Sequence, residues 1–440
     1  MVTNNLVEHL LRTSYKDIPV EVLEHGKKSI LNWLGVTIGA THHPSIDILL
    51  EVANSLGMTQ QVSILGRPNK TDLLSAVLIN GTASHVFDFD DTHLETIHHP
   101  SGPVAPVVFA LGEKLGLPTK ELLRAFVLGC ETELRIANAV YPSHYQNGFH
   151  ITSSTGVFGA AVAAGVLLKL DKEKMAMALG VAGTQSFGLR EMFGTMTKPL
   201  HPGKAAQNGL HAALLVDKGF TSSLQVLEAE RGFANVYSSS HNLERVTEDW
   251  GNVWELEKNS FKPYACGIVL HPSIDACIQL SEYADPDEVE EIRLTVHPYV
   301  HELTSKENPK KGLEGKFSIY HAGAIAFLEK DASENQFQDK KVIAKEVIQF
   351  RKKIHPIADD QVDKDKVVAT LVLKGGRTKK LVVNHTIGSL QNPMTQGILN
   401  SKFINLCSSV IGRSASKQAI ERVMNLEEYY SIQSVVEVIG

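Results

Sequence analysis

The chain has 440 residues, 43% hydrophobic and 21% charged, with 43 basic against 49 acidic side chains and a net charge of -6. Those totals suit a soluble globular protein too long for one core, so two domains are expected, and nothing in them points to nucleic acid. Four cysteines (Cys130, Cys266, Cys277, Cys407), none in a C-x-x-C pair, argue against a zinc ribbon or disulfide framework and fit a reducing, cytoplasmic setting.

The first dozen residues read as an amphipathic helix with an internal acid, not as a signal peptide. Apolar positions then recur at helical spacing to about residue 60, and 72–87 forms a further helix rich in Leu, Ala and Val. That helix delivers the stretch His85 to Gly102, H-V-F-D-F-D-D-T-H-L-E-T-I-H-H-P-S-G. Helices are expected at 107–115, 120–139, 153–170, 172–182 and 204–218. The longest run free of charge and histidine, 151–168, is interrupted by Ser, Thr and Gly, which suits a buried helix better than a membrane span. Small residues recur in G-A-A-V-A-A-G, G-V-A-G and A-A-Q-N-G-L-H-A-A-L-L, and they let helix backbones approach closely. No dependable strand is read before residue 260.

The texture changes near Pro263. Residues 291–297 alternate as a strand, and 367–374 and 378–384 flank Gly375-Gly376 as a hairpin, because a type I′ turn needs positive φ twice. Helices at 316–329 and 341–353 lie between. The fold is therefore read as mainly α with an α+β insertion. A large helical domain comes from both chain ends (1–265 and 393–440), with a smaller α+β lid domain at 266–392 and a cleft at their junction.

Within the opening stretch Asp88, Asp90, Asp91, His93, Glu95, His98 and His99 crowd between apolar anchors, a set suited to proton transfer or metal binding. Taken singly, each is more simply a loop or core residue; the group argues for function. Three further polar spots interrupt the apolar helices. His150 precedes a helix in N-G-F-H-I-T-S-S-T-G, and Lys198, His201 and Lys204 lie on a proline-rich segment. Lys262 sits in F-K-P-Y-A-C-G near the domain boundary. Their plain readings are a capping segment, idle surface lysines and a linker.

Three function classes compete. A metal enzyme is suggested by D-D-T-H-L-E, which partly matches the D-D-x-x-D/E motif of helical terpene synthases, but no second acidic motif follows. A non-catalytic scaffold would leave the cluster an accident. Metal-free acid/base chemistry on a small polycarboxylate accounts for all four spots. Asp88 orients His99, which moves a proton near neutral pH, while His150, Lys198 and Lys262 hold carboxylates.

With these residues assembled, the chain resembles the MmgE/PrpD family, which includes 2-methylcitrate dehydratases, cis-aconitate decarboxylases and an iminodisuccinate epimerase. The matching segments are V-F-D-F-D-D-T-H…H-H-P-S-G-P-V, G-F-H-I-T-S-S-T-G-V-F-G-A-A, T-K-P-L-H-P-G-K-A-A-Q-N-G, F-K-P-Y-A-C-G and G-K-F-S-I-Y-H-A, in the family's order. The resemblance implies a helical domain with an inserted lid, a homodimer, and no metal or organic cofactor. By position it implies a site of Asp88, Thr92, His99, His150, Lys198 and Lys262, with Tyr320 in the lid. Asp90, Asp91, His93, Glu95 and His98 fall back to helix ending, loop bracing or support. D-F-D-D-T-H is nearer the decarboxylase-like branch, so cis-aconitate decarboxylation to itaconate leads. Gly267 departs from the animal decarboxylases, which carry histidine there, and His271 lies four residues further on. Dehydration and epimerisation therefore stay open.

Overall fold

In the computed structural model, which describes residues 1–439, the chain is predominantly helical with a small mixed sheet. It partitions into two compact units. One comprises Met1–Val86, Asp90–Ser260 and the tail from Thr395; the other comprises Phe87–Phe89 and Phe261–Met394.

The first unit is built on helices Leu73–Val86, Ser101–Leu115, Thr119–Val140, Gly156–Leu167 and Thr197–Asp217. Every residue of Gly156–Leu167 is buried, as expected of a helix apolar on all faces. Close backbone approach is made by paired small residues. A Cβ built on Gly203 would lie 2.3 Å from the Leu78 carbonyl oxygen, and one on Gly81 would lie 2.7 Å from the Gly203 Cα. The Leu73–Val86 and Thr197–Asp217 helices can cross at this distance only because both positions lack a side chain.

Several expected boundaries move. The helices expected at 107–115 and 204–218 begin at Ser101 and Thr197, ahead of the prolines that suggested loops. Pro103 and Pro199 fall in a first turn, where the backbone N–H has no helical partner anyway. Pro106 and Pro202 sit deeper, and each forgoes one ladder bond, to the carbonyls of Gly102 and Lys198 respectively. The helix expected at 153–170 is broken at Thr155 into Ile151–Ser154 and Gly156–Leu167. There the Thr155 hydroxyl donates to the Ile151 carbonyl at 2.9 Å, a side-chain bond that competes with the helical ladder. Two-residue antiparallel ladders also occur before residue 260, where no strand is read: Val62–Ser63 with Lys70–Thr71, and Thr92–His93 with Asn259–Ser260. They are too short to leave a periodic signal. No described helix is long and apolar enough to cross a membrane, and all four cysteines are buried free thiols.

The second unit carries a four-stranded sheet in the order Ile354–Ala358, Val289–Val296, Val367–Leu373, Thr378–Val383. The first pair is parallel and the other two are antiparallel. Ile292, Leu294 and Val296 are buried in alternation, and Gly375 and Gly376 turn the hairpin at φ +94 and +84. The Ile354–Ala358 strand escapes a sequence reading because only Ile354 is buried and Pro356 interrupts it. Both features belong to an edge strand. Helices His271–Leu280 and Ile319–Glu329 pack against this sheet; the first was not expected, and the second starts later than the 316–329 expectation.

The helix crossing gives a direct test. Gly203→Ala should lower unfolding stability by about 1–3 kcal/mol, the usual cost of overpacking. Gly397→Ala, whose Cβ would meet only the Thr395 hydroxyl at 3.9 Å, should leave stability unchanged or slightly raised. Urea denaturation of the two variants checks both.

Candidate active site

In the first unit the site is organised by a small closed loop. Thr92 and His93 pair with Ser260 and Asn259, while His93 and His98 exchange backbone hydrogen bonds of 2.7 and 3.2 Å. Ile97, at φ +58, turns the chain inside that loop. The two ends, Thr92 and His99, are thereby brought together, with the Thr92 hydroxyl 3.1 Å from His99 Nδ1. The His99 backbone N–H donates to the Thr152 hydroxyl at 3.2 Å, which ties the loop to the Ile151–Ser154 helix.

The partner strand is itself anchored. Arg135 on Thr119–Val140 bonds Glu131 and the carbonyls of Glu248 and Val253, each at 2.6 Å. Glu131 in turn accepts from the backbone N–H groups of Glu255 and Leu256. The chain is thus pinned just before Asn259 and Ser260. Asn259 and Ser101 both donate to the buried Asp91 carboxylate. Burial pushes that carboxyl up to about 7, against the lowering effect of the Ser101 bond. Nearby Glu133 is fully buried, and loss of hydration pushes its carboxyl well above the usual range, which keeps it neutral.

His99 Nδ1 lies 2.9 Å from the Asp91 carbonyl oxygen, which can only accept. Nδ1 therefore carries the proton in the neutral ring, and Nε2 holds the lone pair. Beside it, His85 Nδ1 donates to Asp90 Oδ2 at 2.6 Å, and the same oxygen lies 3.6 Å from His99 Nδ1. The rings of His85 and His99 stand 4.8 Å apart, and His85 stacks on His150 at 5.7 Å. His150 Nδ1 lies 2.9 Å from His201 Nδ1, so one of the two nitrogens must donate and the other accept.

Burial, reinforced by His201, holds His150 well below the usual imidazole range, and burial brings His201 down to about 4. Both are neutral at physiological pH. Lys198, buried in the first turn of its helix, places its ammonium 5.5 Å from the Phe193 ring centre, whose edge also meets the His150 ring at 5.1 Å. Lys204 is instead engaged along its own helix, donating to Gln207.

The second unit has its own polar core. Lys262, 1% exposed, donates to the Asp88 carbonyl at 3.0 Å and to Asp88 Oδ1 at 2.9 Å. Asp88 adopts φ +51. Lys316 donates to the carbonyls of Phe87 and Ala265 and to Glu334, each at 2.6 Å. Two buried ammonium groups therefore grip the Phe87–Phe89 segment. Tyr320 is half-buried and donates to Glu307 at 3.4 Å rather than to either member of the Lys262–Asp88 pair. Gly267 has φ -54, and an added Cβ would approach nothing closer than the Lys316 carbonyl at 3.6 Å, so neither backbone nor space demands glycine there.

Of the residues chosen from sequence, Thr92, His99, His150 and Lys198 fall in the first unit, and Asp88, Lys262 and Tyr320 in the second. Outside that set the structure adds His85 and Asp90, His201 and Lys316, of which sequence reasoning names Asp90 among the acids of the stretch and His201 beside Lys198. The spacing His85-x4-Asp90 was the available signal for the first pair. A second group, His93, Glu95 and Glu255, already carries the Lys258 ammonium between its two acids.

Comparison with known proteins matches residues 4–246 to the MmgE/PrpD N-terminal domain and residues 264–428 to the MmgE/PrpD C-terminal domain. A cis-aconitate decarboxylase of Aspergillus terreus (strain NIH 2624 / FGSC A1156) is 26% identical over 96% of this chain and 93% of its own. The cis-aconitate decarboxylases of Mus musculus and Homo sapiens are 27% and 26% identical over 92% of this chain, and cover 87% and 88% of their own.

One buried histidine behind the site offers a pH test. His144 Nδ1 donates to the Tyr237 carbonyl, and Nε2 lies 2.6 Å from the Ser154 hydroxyl; burial lowers its pKa to about 4. A folded pKa below the unfolded value means the unfolded chain takes up the proton first, so this group destabilises the fold as pH falls from about 6.5 to 4. His144→Gln should therefore flatten the acid loss of stability by up to about 1.4 kcal/mol per pH unit, read from urea midpoints across that window.

Proposed function

The chain belongs to the MmgE/PrpD family, and from that premise we propose that it is a cofactor-independent lyase acting on a small di- or tricarboxylate. Cis-aconitate decarboxylation to itaconate is the leading reaction. The observation that carries this reading is the fixed tautomer of His99: Nδ1 is committed to the Asp91 carbonyl, which assigns proton transfer to Nε2.

In decarboxylation, the bond between the methylene carbon and its carboxylate breaks and releases carbon dioxide. The electron pair forms a new double bond to the central carbon, and the original double bond shifts its pair to the far carbon, which bears one of the two remaining carboxylates. His99, entering as the imidazolium, adds its Nε2 proton to that carbon and is recharged from solvent. Thr92 and the Asp91 carbonyl hold the ring. Asp90, through its approach to both His85 and His99, stabilises the charged form.

Lys198 supplies positive charge to the substrate, and neutral His150 supplies a directional hydrogen bond. Lys262 and Tyr320 enter through the family motifs in which they stand, as carboxylate-binding groups. Dehydration or epimerisation would use the same proton transfer at a carbon beside a carboxylate.

A proton NMR panel with cis-aconitate, 2-methylcitrate, citrate and iminodisuccinate should show turnover of one compound, unchanged by EDTA. Turnover of none would overturn the reading. His99→Gln should lower kcat by about 10²–10⁴-fold while circular dichroism stays native.

A further inference from the structure

We propose that His85, His99 and His150 form a binding site for a borderline divalent cation of the zinc class, whose occupancy blocks the proton-transfer residue and so inhibits the enzyme. One ring nitrogen from each histidine lies within 4.8 Å of the others, and all three residues are buried. A tetrahedral site with Zn–N bonds of about 2.1 Å needs its nitrogens roughly 3.4 Å apart, so the rings must close by at most about 1.4 Å. Rotation about side-chain torsions supplies a movement of that size.

The surroundings of the three rings favour a cation more than their proximity does. A histidine that binds metal through one nitrogen characteristically donates the other N–H to a carboxylate or a backbone carbonyl. His85 donates Nδ1–H to Asp90, and His99 donates Nδ1–H to the Asp91 carbonyl. His150 has Nδ1 against His201 Nδ1. Each ring is thus oriented from behind, with one nitrogen of each within 4.8 Å of the others. Three imidazoles with a fourth position left for water or a carboxylate is the donor set of many zinc sites. Lys198 opposes a bare cation, so an anionic fourth ligand, hydroxide or a carboxylate, completes the site most favourably. The acid-rich group His93, Glu95 and Glu255 is the weaker competitor, because Lys258 already holds its two carboxylates.

The inhibitory sign rests on the assignment of His99 Nε2 to proton transfer; the binding itself does not. Cobalt(II) added to the full-length protein should give the visible absorption of a tetrahedral ion at one equivalent, and zinc should abolish it. His85→Gln and, separately, His150→Gln should weaken cobalt binding by on the order of 100-fold, and Asp90→Asn by about 10–100-fold. His93→Gln should leave the absorption intact, and circular dichroism of each variant reports whether it has folded. Zinc should inhibit polycarboxylate turnover, with EDTA restoring it.

Absence of a tetrahedral spectrum in the wild-type protein, or its survival in both folded His85 and His150 variants, would overturn the site. Activation by zinc would overturn the inhibitory role. Failure of every polycarboxylate to react would remove the proposed reaction and leave the cobalt result to stand by itself.

Discussion

The hydrogen bond from His99 Nδ1 to the Asp91 carbonyl decides what the rest of the first unit can do. A backbone carbonyl cannot donate, so this contact sets the tautomer without depending on pH. It holds only if Asp91 and His99 keep their spacing, and that spacing is kept by the His93–His98 closure and the ladder to Asn259–Ser260. The ladder depends in turn on Arg135 and Glu131, which lie inside a helix far along the chain. A sequence of ordinary polar contacts thus fixes one imidazole nitrogen.

The electrostatics around that nitrogen are divided between neutral and charged groups. His150 and His201 are kept neutral by loss of hydration, and the Asp91 and Glu133 carboxyls are pushed upward for the same reason. Several of the groups around that nitrogen therefore carry no full charge. Lys198 and Asp90 stand out against this background, one suited to an anion and the other to an imidazolium.

Much of this was legible in the sequence. The long helices announced themselves by apolar spacing, and the Gly375-Gly376 hairpin by a turn chemistry that few other residues tolerate. The density of acids and histidines between His85 and Gly102 marked a candidate site before any geometry was known. What escaped was tertiary in origin. Asp90 read as loop bracing because its partner, His85, looked like the last turn of a helix; only the bend between them brings Nδ1 to the carboxylate. Helix starts were misplaced at Pro103 and Pro199, where a residue that breaks helix interiors sits comfortably in a first turn. The edge strand Ile354–Ala358 carried too little buried surface to show a pattern. Lys316 gave no sign at all, since a lysine inside G-K-F-S reads as surface until its three acceptors are seen.

The central claim is that the Asp91 carbonyl sets the protonation of His99, and nitrogen NMR reads that state directly. Long-range proton–nitrogen spectra of histidine-labelled protein at neutral pH, with His99 assigned by its loss in His99→Gln, distinguish the two tautomers. The account predicts that whenever the His99 ring is neutral its proton is on Nδ1, with Nε2 gaining the second proton only in the imidazolium. A His99 protonated on Nε2 with a bare Nδ1 would contradict it.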